Sequence, residues 1–212
     1  MTALSSPLLP SDASAEPSEA DLVALVGSRL CHDLISPLGA ISNGVELLAM
    51  SGGAMSPEMQ LIAESVSAAN ARVKFFRVAF GQANTEQRVS QNEIRSLLSE
   101  MSATGRTKFD WQVDGDQPRH LVKMAYLAIL CMETALPFGG RLVITEHNGE
   151  WHLVAETRRT KPDDALWQAL AGHAPADLRP AQVQFILLPR EAETYGRHID
   201  WQINETGARM SF

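Results

Sequence analysis

Apolar residues in the first quarter of the chain recur at helical spacing. At about 100° per residue, Leu30, Leu34, Leu38, Ile41, Val45 and Leu48 fall on one stripe. This predicts a long helix from Ser18 or Glu19 to about Met50, broken by Ser51-Gly52-Gly53. Ser56 then caps a second helix, with Pro57 at its first position and Glu58 just behind. Its apolar positions, Met59, Ile62, Val66, Ala69, Val73, Phe76 and Phe80, alternate by three and four, the pattern of a bundle seam. Two helices joined by a short loop make an antiparallel hairpin, and a single partner helix leaves part of each stripe uncovered. Leu22, Leu25, Val26 and Leu47 add apolar surface outside the main stripe. The expectation is a second copy, giving a homodimeric four-helix bundle about a two-fold axis. The alternative is that the C-terminal half covers the hairpin.

Residues 82–88 read as a linker, after which the pattern changes. Ser90-Gln-Asn-Glu93 is a capping box opening a short helix with Ile94, Leu97, Leu98 and Met101 inward, closed by Thr104-Gly105. Phe109 to Val113 alternates as a strand, turned by Asp114-Gly115. Pro118 to Leu136 is a strongly apolar helix ended by Pro137 and Gly139-Gly140. Arg141 to His147 and Trp151 to Glu156 form a hairpin around Asn148-Gly149. A short helix at Asp163 to Leu170, a clearer one from Pro180 to about Tyr195, and strands at Ile199 to Asn204 and Ala208 to Phe212 complete the chain. The fold class is therefore α+β, with a helical hairpin at residues 19–81 followed by an α/β sandwich at 89–212.

Composition narrows the function classes. The 212 residues suffice for one large or two small domains. A formal net charge of −7 and the lack of a dense Lys/Arg cluster argue against a nucleic-acid module and point to protein partners. The two cysteines, Cys31 and Cys131, lack metal-ligand spacing and suit a reducing cytosol. No run reaches the roughly 18 apolar residues of a membrane span, and residues 1–18, rich in Ser, Pro and Ala without Lys or Arg, read as a disordered tail rather than a signal. A cytoplasmic protein is expected.

The candidate chemistry lies on the first helix. His32 points almost directly away from the apolar stripe, so its imidazole faces outward. Asp33 could accept a hydrogen bond from one ring nitrogen, fixing the tautomer and leaving the other nucleophilic. Arg29 and Ser36, at i−3 and i+4, share that face and could offer a cation and a hydrogen-bond donor to an incoming phosphoryl group. Pro37, inside the helical pattern, removes one backbone hydrogen bond and is expected to kink the helix one turn beyond the histidine.

The segment Arg29-Leu-Cys-His-Asp-Leu-Ile-Ser-Pro-Leu-Gly-Ala-Ile-Ser-Asn-Gly-Val-Glu-Leu-Leu48, followed by an α/β sandwich, resembles the ChpT-type histidine phosphotransferases of bacterial phosphorelays. The wider likeness is to the phosphoacceptor and ATPase halves of sensor histidine kinases. Such an ATPase domain needs an Asn at the end of its long helix to hold Mg²⁺ and an Asp-x-Gly-x-Gly segment after the next strand pair. Here Thr134 falls where the Asn would be, beside Glu133, and Thr157-Arg-Arg-Thr-Lys161 contains no glycine. The resemblance thus implies a degenerate ATPase domain that binds no ATP and no cofactor of its own, with Mg²⁺ supplied by a receiver domain. It implies His32 as phosphoacceptor, a hybrid-kinase receiver (CckA-like) as donor and response regulators (CtrA-like and CpdR-like) as acceptors. Ile35, Gly39 and Ser42, with Arg72 and Val73 of the second helix, are the expected receiver-docking residues. A non-catalytic dimeric adaptor that sequesters receivers or kinases is the competing reading, and an active kinase with an unusual nucleotide site a third.

Overall fold

The computed structural model describes residues 19–50, 56–173 and 177–212; the expected tail at 1–18 and the break at Ser51-Gly52-Gly53 lie outside the described residues. Helix α1 (Glu19–Met50) continues through Pro37, and α2 (Pro57–Ala79) starts where Ser56 Oγ accepts a hydrogen bond from the Met59 amide at 3.3 Å. The apolar face of α1 is divided. Leu38 and Val45 turn inward, but Leu30, Leu34, Ile41 and Leu48 are exposed. The covered seam instead runs through Ala24, Ser28, Cys31, Ile35, Leu38, Ser42, Val45 and Ala49, each buried or half-buried at alternating steps of four and three. Small residues govern this seam because they let the helices approach closely. At Gly27 an added Cβ would lie only 3.1 Å from the Phe80 carbonyl oxygen.

Helix α2 has two working faces. Val66 and half-buried Met59, Ala69 and Val73 follow the expected seam, whereas Ile62 is exposed. Ala71, Phe75, Val78 and Ala79 belong to the core of the C-terminal half, where Phe75 stacks on Tyr126 at 4.2 Å between ring centroids. Sequence reading missed this second face. The segment read as a linker is held in place: Arg119 donates from Nε to the Gln82 carbonyl at 3.0 Å and from Nη2 to the Arg77 carbonyl at 3.2 Å. The Tyr195 hydroxyl donates to the Ala83 carbonyl at 3.3 Å.

The C-terminal half combines helices with a mixed sheet. After β1 (Arg88–Val89), α3 (Gln91–Thr104) is capped by Ser90 Oγ, which accepts from the Glu93 amide. β2 (Thr107–Trp111) begins two residues before the expected strand and stops two short of it. β3 (Gln117–Pro118) pairs antiparallel with β1 in a two-stranded ribbon that sequence reading did not foresee. Helix α4 (Arg119–Ala135) precedes the hairpin β4 (Gly140–His147) and β5 (Glu150–Glu156), whose turn places Asn148 and Gly149 at φ 53° and 85°. The short helix α5 (Asp164–Trp167) follows, and α6 (Gln184–Thr194) starts later than expected because Pro180–Gln182 is a separate 3₁₀ turn. Strands β6 (Asp200–Asn204) and β7 (Gly207–Ser211) complete a sheet of order β2-β4-β5-β7-β6, parallel only between β2 and β4.

Alternation within the strands makes one face dry. Leu142, Ile144, Trp151, Leu153, Ala155, Ala208 and Met210 are buried, while Arg141, Val154, Gln202 and Arg209 between them are exposed. Against the dry face lies α4, buried from Val122 through Met132, with Lys123 ion-paired to Glu191 of α6.

Candidate functional site

The site grows from the overhang of α1 beyond its seam. Cys31 points toward α2 and is buried, a position that pushes its thiol pKa up against an opposing influence from Arg77. The next residue is turned by about 100°, and the His32 side chain is accordingly 82% exposed. Its Nδ1 stands 3.2 Å from Asp33 Oδ1. Since a carboxylate only accepts, this hydrogen bond needs a proton on Nδ1, and in the neutral ring that tautomer leaves the lone pair on Nε2. The second carboxylate oxygen, Oδ2, accepts from Arg29 Nε at 2.8 Å. The His32 and Arg29 hydrogen bonds together hold the Asp33 carboxyl below its ordinary pKa range.

The other expected site residues divide into two groups. Ser36 is exposed one turn beyond His32, and Gly39 has open space where a Cβ would stand. Arg29 is exposed but engaged with Asp33. By contrast, Ile35 and Ser42 lie half-buried along the seam with α2, and Val73 is half-buried as well. Arg72 makes a bond that sequence reading did not anticipate. Both of its terminal nitrogens donate to Glu133 Oε2 at 3.2 Å, with the guanidinium 5.2 Å from the Phe76 ring centroid. Periodicity along α2 could show that Arg72 is off the seam, but only the fold brings Glu133 of α4 beside it.

That ion pair borders a cavity of about 460 Å³ between α2, α4 and the start of α6, lined also by Phe76, Thr134 and Gln184. The Thr134 hydroxyl is occupied, donating to the Cys131 carbonyl at 2.7 Å. The segment 157–161 is pinned at both ends. Thr157 Oγ1 donates to the Gly139 carbonyl at 2.7 Å, and the Lys161 amide donates to the Ala135 carbonyl at 2.9 Å. Among the described residues no group of three or more His, Cys, Asp or Glu side chains is placed to hold a metal ion, and no helix is long and apolar enough to cross a membrane.

Comparison with known proteins gives three findings. The family described as histidine phosphotransferase C-terminal domain matches residues 91–207. A protein phosphotransferase, ChpT of Brucella abortus (strain 2308), is 38% identical over 131 residues, 60% of this chain and 61% of that protein. The chain thus spans about three fifths of the length of that relative. A solved bacterial phosphotransferase superposes with a TM-score of 0.67 at 28% identity, covering 92% of this chain and 96% of the other.

Proposed function

Because the chain belongs to the histidine phosphotransferase family, we propose that His32 carries a phosphoryl group between receiver domains of a bacterial phosphorelay. The observation that carries this reading is the exposed imidazole with Nδ1 held by Asp33 and Nε2 open to solvent. In the forward step Nε2 attacks the phosphorus of an aspartyl phosphate in line. The N–P bond forms, the O–P bond breaks, and the donor's carboxylate leaves with the electron pair. Positive charge that develops on the ring is met by Asp33 across the Nδ1–H bond. Arg29 positions Asp33, and Ser36 can donate to a phosphoryl oxygen. Return to a second aspartate reverses the same bonds, so direction follows supply and removal. A receiver's Mg²⁺ would supply charge neutralisation at the equatorial oxygens.

The donor in this reading is a CckA-like hybrid-kinase receiver and the acceptors are CtrA-like and CpdR-like regulators, docking over Gly39 and the exposed edge of the hairpin near Ile35, Ser42 and Val73. ATP plays no part. In support, Thr134 is occupied by its own helix, Glu133 by Arg72, and the segment after β5 lacks glycine. The working unit is a homodimer whose four-helix bundle buries Leu30, Leu34, Ile41 and Leu48, left exposed in the single chain. The test is incubation with a phosphorylated receiver. Acid-labile label is expected on the wild type and absent from His32→Ala. Binding without label for every receiver tried would favour an adaptor, and label from ATP alone would favour a kinase.

A further inference from the structure

A second feature lies away from His32, around the C-terminal end of α4. Phe138 is 67% exposed and is the one exposed aromatic among the described residues. Its turn is rigid: the Gly139 amide donates to the Leu136 carbonyl at 2.9 Å, and Gly139, at φ 73°, could carry no Cβ without meeting the Arg106 carbonyl oxygen at 2.1 Å. Segment 157–161 runs beside this turn through the Thr157–Gly139 and Lys161–Ala135 hydrogen bonds. It presents Arg158, Arg159 and Lys161, all exposed and none ion-paired among the described residues, in a chain whose net charge is −7. Arg158 and Arg159 line a depression that holds one carboxylate, Glu205.

Three observations select the occupant. The loop is a poor amide cradle for a small phosphate, because three of its five amides, those of Thr157, Thr160 and Lys161, are spent on protein carbonyls. Three cations are few beside the roughly 6–10 phosphate contacts by which a protein holds a nucleic-acid backbone. A helix C-terminus accounts for a cation in its last turn but not for a solvent-facing phenyl ring held on a fixed turn. Aromatic and arginine side chains on a rigid frame are the usual anchors of protein interfaces. We propose that Phe138, Arg158, Arg159 and Lys161 form a docking surface for an acidic segment of a protein partner, the ring entering an apolar socket while the cations meet carboxylates.

The surface stands independently of phosphate on His32, and the experiment separates the two. A fluorescein-labelled peptide of repeated Glu-Glu-Leu serves as probe, titrated by anisotropy into the full chain at low and at moderate salt. Wild type and His32→Ala are expected to bind equally, while Phe138→Ala weakens binding at least fivefold and Arg158→Glu/Arg159→Glu at least tenfold. Affinity falls as salt rises, and a Gln-Gln-Leu peptide does not bind. Circular dichroism verifies that the variants fold. Unchanged affinity in Phe138→Ala, or displacement of the peptide by stoichiometric inorganic phosphate or a short oligonucleotide, overturns the proposal.

Discussion

The helical hairpin and the C-terminal half use apolar residues in opposite ways. In α4, twelve of seventeen residues are buried, and Trp151, Trp167 and Phe185 are sealed around it. In α1, with 32 residues, burial is confined among the described side chains to Ala24, Cys31 and Val45, and Leu30, Leu34, Ile41 and Leu48 face outward. One region is finished within a single chain; the other has a covered seam and an uncovered one. An exposed apolar stripe several turns long is costly in water and marks a surface made to be covered.

Breaking the finished region should give the largest effect. Trp151 is 1% exposed, packed edge-on against Trp111 and stacked on Phe212. Trp151→Ala should cost about 3–5 kcal/mol, read as a fall in the urea midpoint, with the loss concentrated in near-ultraviolet dichroism. The unfinished region should respond in mass rather than in folding. If the proposed homodimer forms through this stripe, Leu34→Asp with Ile41→Asp converts it to monomer by light scattering while shifting the chain's urea midpoint little. Retention of the dimer would place the interface elsewhere.

A smaller, pH-dependent effect tests the junction between the regions. His120 stacks on Tyr195 at 4.3 Å, its Nδ1 is buried without a hydrogen-bond partner, and burial pushes its pKa below the ordinary 6.5. The unfolded chain therefore binds the proton more readily than the folded one, so stability is full above about pH 6.5 and falls as the pH drops below it. His120→Gln should flatten that part of a stability profile measured between pH 7.5 and 5.5.

The fold was legible where turn chemistry and strong periodicity agree. Asn148-Gly149 fixed the β4–β5 hairpin, and Ser56-Pro57 the start of α2. The outward direction of His32 followed from helical geometry alone. The seam of α1 with α2 was not legible because leucines dominate any count of apolar residues, whereas Ala24, Gly27, Ser28 and Cys31 set how closely two helices approach. The second face of α2 was hidden because Phe75 adjoins Phe76, and adjacent aromatics belong to no single stripe. The ribbon of β1 and β3 is two residues per strand, too short for alternation to register. Arg72–Glu133 joins residues 61 positions apart and could only be seen in the folded chain.

The contribution of Ala71, Phe75, Val78 and Ala79 to the sandwich core has a consequence for modularity. The last two turns of α2 are shared property of both halves, and Arg119 fastens the chain directly after them. A graft that joins this sandwich to a foreign hairpin must therefore cross over upstream of Ala71, not in the loop at 82–88. Cut at the loop, the transplanted half would lack its own inner wall.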